Sequence, residues 1–448
     1  MTRMIDRTAG LEALGARALY AGALAALALG LAGASQAQPQ PAPPAAGATA
    51  FTTGGCDTPT TAFCDALMPP TPGWKGHVFK LSQTYPASAP PEPQFPWSKF
   101  DPTKQPGEYL KAALAYFYEG NVRPNVEQSF DPTLNKVRVW YNAPWQDVGL
   151  NGREFIHGLT RERVSLPGEL APQQKKRWNN YAVGFYNAPG GVVIGQVWKD
   201  HGKPNPAASV FPNGTVAAKL LFTTASTAEV PYLKGSPTWK AYVYANPNDP
   251  GPTPTSPRKA LPVRLLQIDI AVKDDRVAAT TGWVFGTFVY GGGPGGPAGS
   301  GWTNVAPVGV MWGNDPGFSG SGTLTQTWLN PAVHMPHVGF QGRLNGPVDN
   351  PTSSCMSCHG TAEIPAGVMV PPSGQDPSRW FQNIKSGQPF DAGRQSTDYS
   401  LQIEVGISNF NKHQPVVNAA SPQDRTIQLR KVLEGSDPRS PRDGAPTH

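Results

Sequence analysis

The sequence predicts an α+β protein: a β-rich, antiparallel, sandwich-like region followed by a small, mostly helical C-terminal segment. Three observations carry this. Glycine (49) and proline (50) are far above ordinary usage while charged residues make up only 15% of 448 residues, which suits a loop-rich, strand-based chain. Short runs of alternating or aromatic residues, punctuated by Gly and Pro, recur from about residue 136 to 345. Beyond residue 376 the apolar spacing changes to that of helices. An aromatic content of 10%, with 12 Trp, excludes a generally disordered chain.

Residues 1–37 read as a secretory signal. Arg3, Arg7 and Arg17 precede an uncharged apolar run from Ala18 to Ala34, and Ser35-Gln36-Ala37 offers a small-residue cleavage site. The run is short and rich in Ala and Gly, which favours cleavage over a membrane anchor, and no other stretch is apolar enough to span a bilayer. Residues 38–100 are a Pro/Ala-rich linker and lead-in without a core of their own. Cys56 and Cys64 lie in this stretch, and in an oxidising compartment they can close a small disulfide loop.

The β-rich domain is expected over 101–344. A helix opens it at Pro106, with Leu110, Ala113, Leu114 and Phe117 on one face and Gly120 past its end. Strands are expected at 136–141, at 181–186 and 192–198 flanking a hairpin turn at 187–191, and then at 215–223, 266–272 and 283–290. Gly291, Gly293 and Gly296 formally match a dinucleotide-binding fingerprint, but Pro294 and Pro297 forbid the helix that fingerprint must open, so the stretch reads as a loop. The net charge of +6 is mild over this length. Its one tight basic cluster, Lys175-Lys176-Arg177, reads as a solvated face, so nucleic-acid binding is not expected.

The C-terminal segment, 345–448, carries the chemistry. Cys355-Met356-Ser357-Cys358-His359 is Cys-x-x-Cys-His, the spacing at which two thiols can each add to a porphyrin vinyl group while the following imidazole is carried under the ring to bind iron. A zinc half-site would want a second ligand pair nearby, and a redox dithiol would sit in a βαβ pattern; neither is present in the sequence. Three helices are expected after the motif: from Asp376 to Gly387, from Ser396 or Thr397 through Leu401, Val405 and Phe410, and from Ser421 to Leu433.

The motif followed by short helices resembles the cytochrome c family, strongly over 355–359 and loosely over the rest of the segment. The β-rich region lies outside a simple cytochrome c domain. The resemblance implies one covalent haem c, thioether bonds at Cys355 and Cys358, and iron ligation by His359. It also implies maturation outside the cytoplasm, so a periplasmic location and a redox partner protein there are expected. For the sixth iron position the sequence offers Met369, His413, His157, Met311, His334 and His337, or an open site. The choice separates functions: a saturated iron suits single-electron transfer, an open one suits a peroxidase-like or other haem-dependent oxidoreductase, and a haem-based redox sensor is a third expectation. No Ser-His-Asp order, H-E-x-x-H or P-loop appears.

Overall fold

In a computed structural model of the chain, residues 81–91, 94–122, 130, 132–146, 159–249 and 256–412 are described, and all lie within one compact unit. The expected signal, the Cys56–Cys64 pair, His157, His413 and the helix from Ser421 fall outside them.

The elements run α1 (Pro106–Tyr118), β1 (Thr160–Arg161), β2 (Asn180–Tyr186), α2 (Ala188–Val197), β3 (Val216–Thr223), β4 (Thr238–Tyr244), β5 (Arg258–Lys273), β6 (Trp283–Tyr290), β7 (Val305–Met311), β8 (Thr327–Leu329), α3 (Cys355–His359), β9 (Glu363–Ile364), β10 (Gln395–Ser396) and α4 (Leu401–Lys412). Among the described residues, β1 to β8 form one antiparallel sheet in the order β1-β2-β3-β5-β6-β7-β8, with β4 paired to the first half of β5. β9 and β10 make a separate two-stranded pair.

Among the described residues the expected antiparallel β-rich region is thus one eight-stranded sheet. β6 is buried at all eight positions, so both of its faces must be covered. Among the described residues the layers that cover it include helices on both faces. On one face Val284, Phe288, Ile268, Ile270 and Val310 pack with Tyr109, Leu110 and Phe117 of α1. Leu110 rests where a Cβ on Gly286 would lie, 2.3 Å from its Cδ1, so the missing side chain lets the helix approach. On the other face Tyr186, Ala271, Phe285 and Met311 pack with Val193 and Ile194 of α2, Met356 of α3 and Ile403, Ile407 and Phe410 of α4. Full burial of each such side chain contributes about 1.5–3 kcal/mol.

The expected hairpin turn at 187–191 and strand at 192–198 are instead α2. Asn187 caps it by accepting from the Gly190 N–H, and Pro189 sits in the first turn, where its missing donor costs nothing. Val192, Val193 and Ile194 favour a strand intrinsically, but the cap and the packing override that preference. Gly191 and Gly195 let Tyr141 and Tyr85 lie against the helix. At 136–141 only Tyr141 pairs, through a bridge to Tyr186. The residues after β6 form a loop in which Gly291 and Gly293 have positive φ, and no helix begins there. Lys175 and Lys176 are exposed.

The C-terminal segment is less helical than expected over its described part. The helix expected from Asp376 to Gly387 is a single 3-10 turn, Pro377–Phe381, capped by Asp376. Prolines at 371, 372 and 389 and positive φ at Gly374, Gly387 and Gly393 break up the remainder. α4 carries the expected apolar residues but begins at Leu401 rather than at Ser396 or Thr397, since Ser396 lies in β10; it is held by Asn409 Nδ2 donating to the Trp145 carbonyl at 2.7 Å and by edge contacts of Phe410 with Trp145 and Trp198. No helix among the described residues is long and apolar enough to cross a membrane.

Candidate functional site

The five motif residues are α3, one short turn fixed from both ends. Ser354 caps it in a reciprocal box: its Oγ accepts from the Ser357 N–H while Ser357 Oγ accepts from the Ser354 N–H. Ser354 Oγ also donates to Asn314 Oδ1 at 2.9 Å, and the Cys355 N–H donates to the Leu344 carbonyl at 3.0 Å. Buried Met356 anchors the turn in the apolar core, so Cys355, Cys358 and His359 are left together, each half-buried. The sequence therefore gathers its three predicted residues into one place.

His359 is held by two contacts. Its Nδ1 lies 2.8 Å from the Tyr399 carbonyl oxygen, which accepts, and its ring lies 4.7 Å from that of Phe285 on β6. The bond fixes the proton on Nδ1 and leaves Nε2 with its lone pair. Burial lowers the pKa of His359 to about 4, so the imidazole is neutral and ligand-competent at neutral pH. Tyr399 and Asp398 both adopt left-handed backbone, with φ of 66° and 48°. The Asp398 carboxylate holds that turn, accepting from Phe211 N, Trp283 Nε1, Ser386 Oγ and Gly387 N.

Both cysteines are free thiols. Burial pushes both thiols up, Cys358 to about 11 and Cys355 well above its ordinary value. A redox dithiol or a zinc site needs thiolate, which this setting disfavours. Among the described residues no third His, Cys, Asp or Glu joins them in a group able to hold a bare metal ion. The turn thus presents two neutral thiols one helical turn apart, followed by a neutral imidazole whose Nε2 keeps its lone pair.

Sequence reasoning missed the floor of the site. Lys219, Asp269 and Thr287 are aligned across β3, β5 and β6 as register partners. Lys219 Nζ is 3.3 Å from Asp269 Oδ2, and Thr287 Oγ1 donates to Asp269 Oδ1 at 2.8 Å and lies 3.9 Å from Cys355 Sγ. Gln267 Nε2 spans Asp269 and Asp349, at 2.7 Å and 3.2 Å. Asp349 is placed by the Gly346 N–H on its carboxylate and by Arg163, itself paired with Glu169, on its carbonyl. Burial, opposed by Lys219, raises the Asp269 pKa, and the nearby Asp349 raises it further. Burial works against the charge of Lys219, yet Asp269, Asp349 and Glu162 outweigh it and keep the ammonium protonated. The signal was present: Gln267 and Asp269 alternate with apolar residues, a pattern that reads as a wet face, and Lys219 interrupts an apolar strand.

The residues named for a sixth iron position are scattered. Met311 is fully buried, Met369 is half-buried, His334 is exposed, and His337 Nε2 lies 3.2 Å from the Pro347 carbonyl. Met335, which the sequence reasoning passed over, packs against the same apolar cluster as Cys355.

In comparisons with known proteins, no family model, no curated protein and no solved structure matches the chain.

Proposed function

We propose that this chain is an exported c-type cytochrome: one haem joined through thioethers to Cys355 and Cys358, iron bound by Nε2 of His359, and single electrons exchanged with a periplasmic redox protein. The observation that carries the reading is the 2.8 Å bond from His359 Nδ1 to the Tyr399 carbonyl. It fixes the tautomer a metal-binding imidazole requires, directly after two free thiols in the same turn. A haem held there would supply one-electron Fe(III)/Fe(II) chemistry. The chain's own part is to orient the imidazole, to shield the site with Phe285 and Tyr399, and to set a charged floor beneath it.

The test is the mass and reduced absorption spectrum of the exported protein. The wild-type chain carries haem that survives denaturation, Cys355→Ala and Cys358→Ala each retain a single linkage, and the double variant loses covalent haem. A wild-type chain with no added mass defeats the reading.

The charged floor favours a second reading, a haem-dependent oxidoreductase. Lys219, Asp269 and Thr287, the last next to Cys355, would supply exchangeable protons beside a haem held there. Carbon monoxide separates the two: a ferrous spectrum unmoved by it belongs to an electron carrier, and a ready shift belongs to an iron open to substrate.

A further inference from the structure

We propose that Asp269 is a proton acceptor coupled to the haem's electron, taking up one proton when the iron is reduced and releasing it on oxidation. The inference rests on the haem reading above and adds to it a residue from the sheet. The step balances simply: one electron reaches the iron from a one-electron donor protein, and one proton from water forms one O–H bond on the Asp269 carboxylate.

Three features of the geometry carry it. First, the floor holds two carboxylates against one nearby cation. Lys219 Nζ is 3.3 Å from Asp269, while Asp269 and Asp349 share the Gln267 amide. Burying a second like charge without a partner is costly, and one proton relieves it. Of the two carboxylates, Asp269 is the one whose bond to Thr287 leads on to Cys355. The raised pKa of Asp269, from burial and Asp349, agrees.

Second, a continuous path joins this carboxylate to the haem attachment point. Thr287 Oγ1 is 2.8 Å from Asp269 Oδ1 and 3.9 Å from Cys355 Sγ. A hydroxyl both donates and accepts. With Asp269 ionised, Thr287 donates to it. With Asp269 protonated, the carboxyl donates to Thr287, whose own hydrogen turns towards Cys355 Sγ. The bond pattern at the attachment point therefore changes with the proton.

Third, water can reach the group. The Lys219 and Asp269 side chains keep 28% and 21% of their surface although they lie in the middle of the sheet. The other groups facing the site are Glu162 beyond β1, Arg163 through the Asp349 carbonyl, Asn345 near Cys355, and Cys358 and His359 of α3. Of the carboxylates among them, Asp269 is the one bonded to Thr287.

The sign follows from charge. Reduction adds a negative charge beside Asp269, which binds its proton more tightly, so the reduction potential falls as pH rises through its titration.

The experiment is a spectroelectrochemical titration of the haem-loaded full chain from about pH 4 to about pH 9. The wild-type potential is expected to fall with a limiting slope near 59 mV per pH unit, the value for one proton per electron. Asp269→Asn is expected to lose that slope. Lys219→Gln, which removes the opposing cation, moves the sloping window to higher pH. Asp349→Asn, which removes the like charge, moves it lower. The haem's own carboxylates are present in every variant, so only the part lost in Asp269→Asn counts. A flat wild-type profile on haem-loaded protein, or a slope that Asp269→Asn retains, overturns this inference and leaves the proposed function standing. A chain whose mass shows no haem overturns both.

Discussion

The carbonyl of Tyr399 accepts from Nδ1 of His359 at 2.8 Å, and it reaches that position because Asp398 and Tyr399 both lie in left-handed backbone. Such a conformation costs a non-glycine residue roughly 1–3 kcal/mol and persists only where the surroundings enforce it. Here the enforcement is the Asp398 carboxylate with its four donors. Asp398→Ala removes them all and lets the turn relax. We expect a loss of about 3 kcal/mol or more in urea unfolding. We also expect a shifted reduction potential, because the imidazole loses its fixed partner. A variant with unchanged stability and potential would mean that the Asp398 bonds do not hold the turn.

Stability of the haem-free chain should depend on pH through His359. In the unfolded chain this histidine binds a proton near its ordinary 6.5; in the native chain burial holds it near 4. Between those values the unfolded state binds more protons, so stability falls as pH drops from 6.5 towards 4 and is insensitive to this group above 6.5. The full effect is at most about 3 kcal/mol. Chain produced without haem attachment, unfolded in urea at a series of pH values, should show this fall, and His359→Gln should flatten it. Equal pH slopes for the two would count against the buried neutral imidazole.

The two faces of the sheet should fail independently. Gly286 lies on β6 between Phe285, which touches His359, and Thr287, which bonds Asp269, yet its own missing side chain points to α1. In Gly286→Ala the new methyl displaces Leu110, and overpacking of this kind costs about 1–3 kcal/mol. The thermal midpoint should drop while the spectrum of the haem-loaded protein stays as in wild type. A changed spectrum would mean that strain crosses the sheet.

What was legible in the sequence follows from range. α1 and β6 are set by local periodicity and lie within a residue or two of where it put them, whereas α4 keeps its expected apolar residues but starts at Leu401, four residues past Thr397, because Ser396 pairs in β10. The gathering of Cys355, Cys358 and His359 needed only one helical turn. α2 was misread because Val192–Ile194 carry a strand's side chains and the decisive signal was one cap, Asn187. The floor was missed for another reason. Lys219, Asp269, Thr287 and Asp349 come from four separate stretches, and only the register of β3, β5 and β6 brings the first three into line. Polar alternation in β5 reads as a face turned to water until something is known to cover it.

Met311 is offered by the sequence as a sixth ligand, and its place in the sheet argues otherwise. It is the register partner of Phe285, whose ring is 4.7 Å from His359, and it is fully buried in the core beneath that contact. Met311 thus belongs to the apolar cluster that includes Phe285 and Met356, where it serves packing. Met311→Leu conserves volume and hydrophobicity, and such exchanges usually cost under about 1.5 kcal/mol. The haem-loaded variant should therefore keep the wild-type spectrum, reduction potential and response to carbon monoxide, with only a small loss of thermal stability. A change in the oxidised spectrum, or carbon monoxide binding gained with the substitution, would place its sulfur on the iron and overturn the assignment of Met311 to packing.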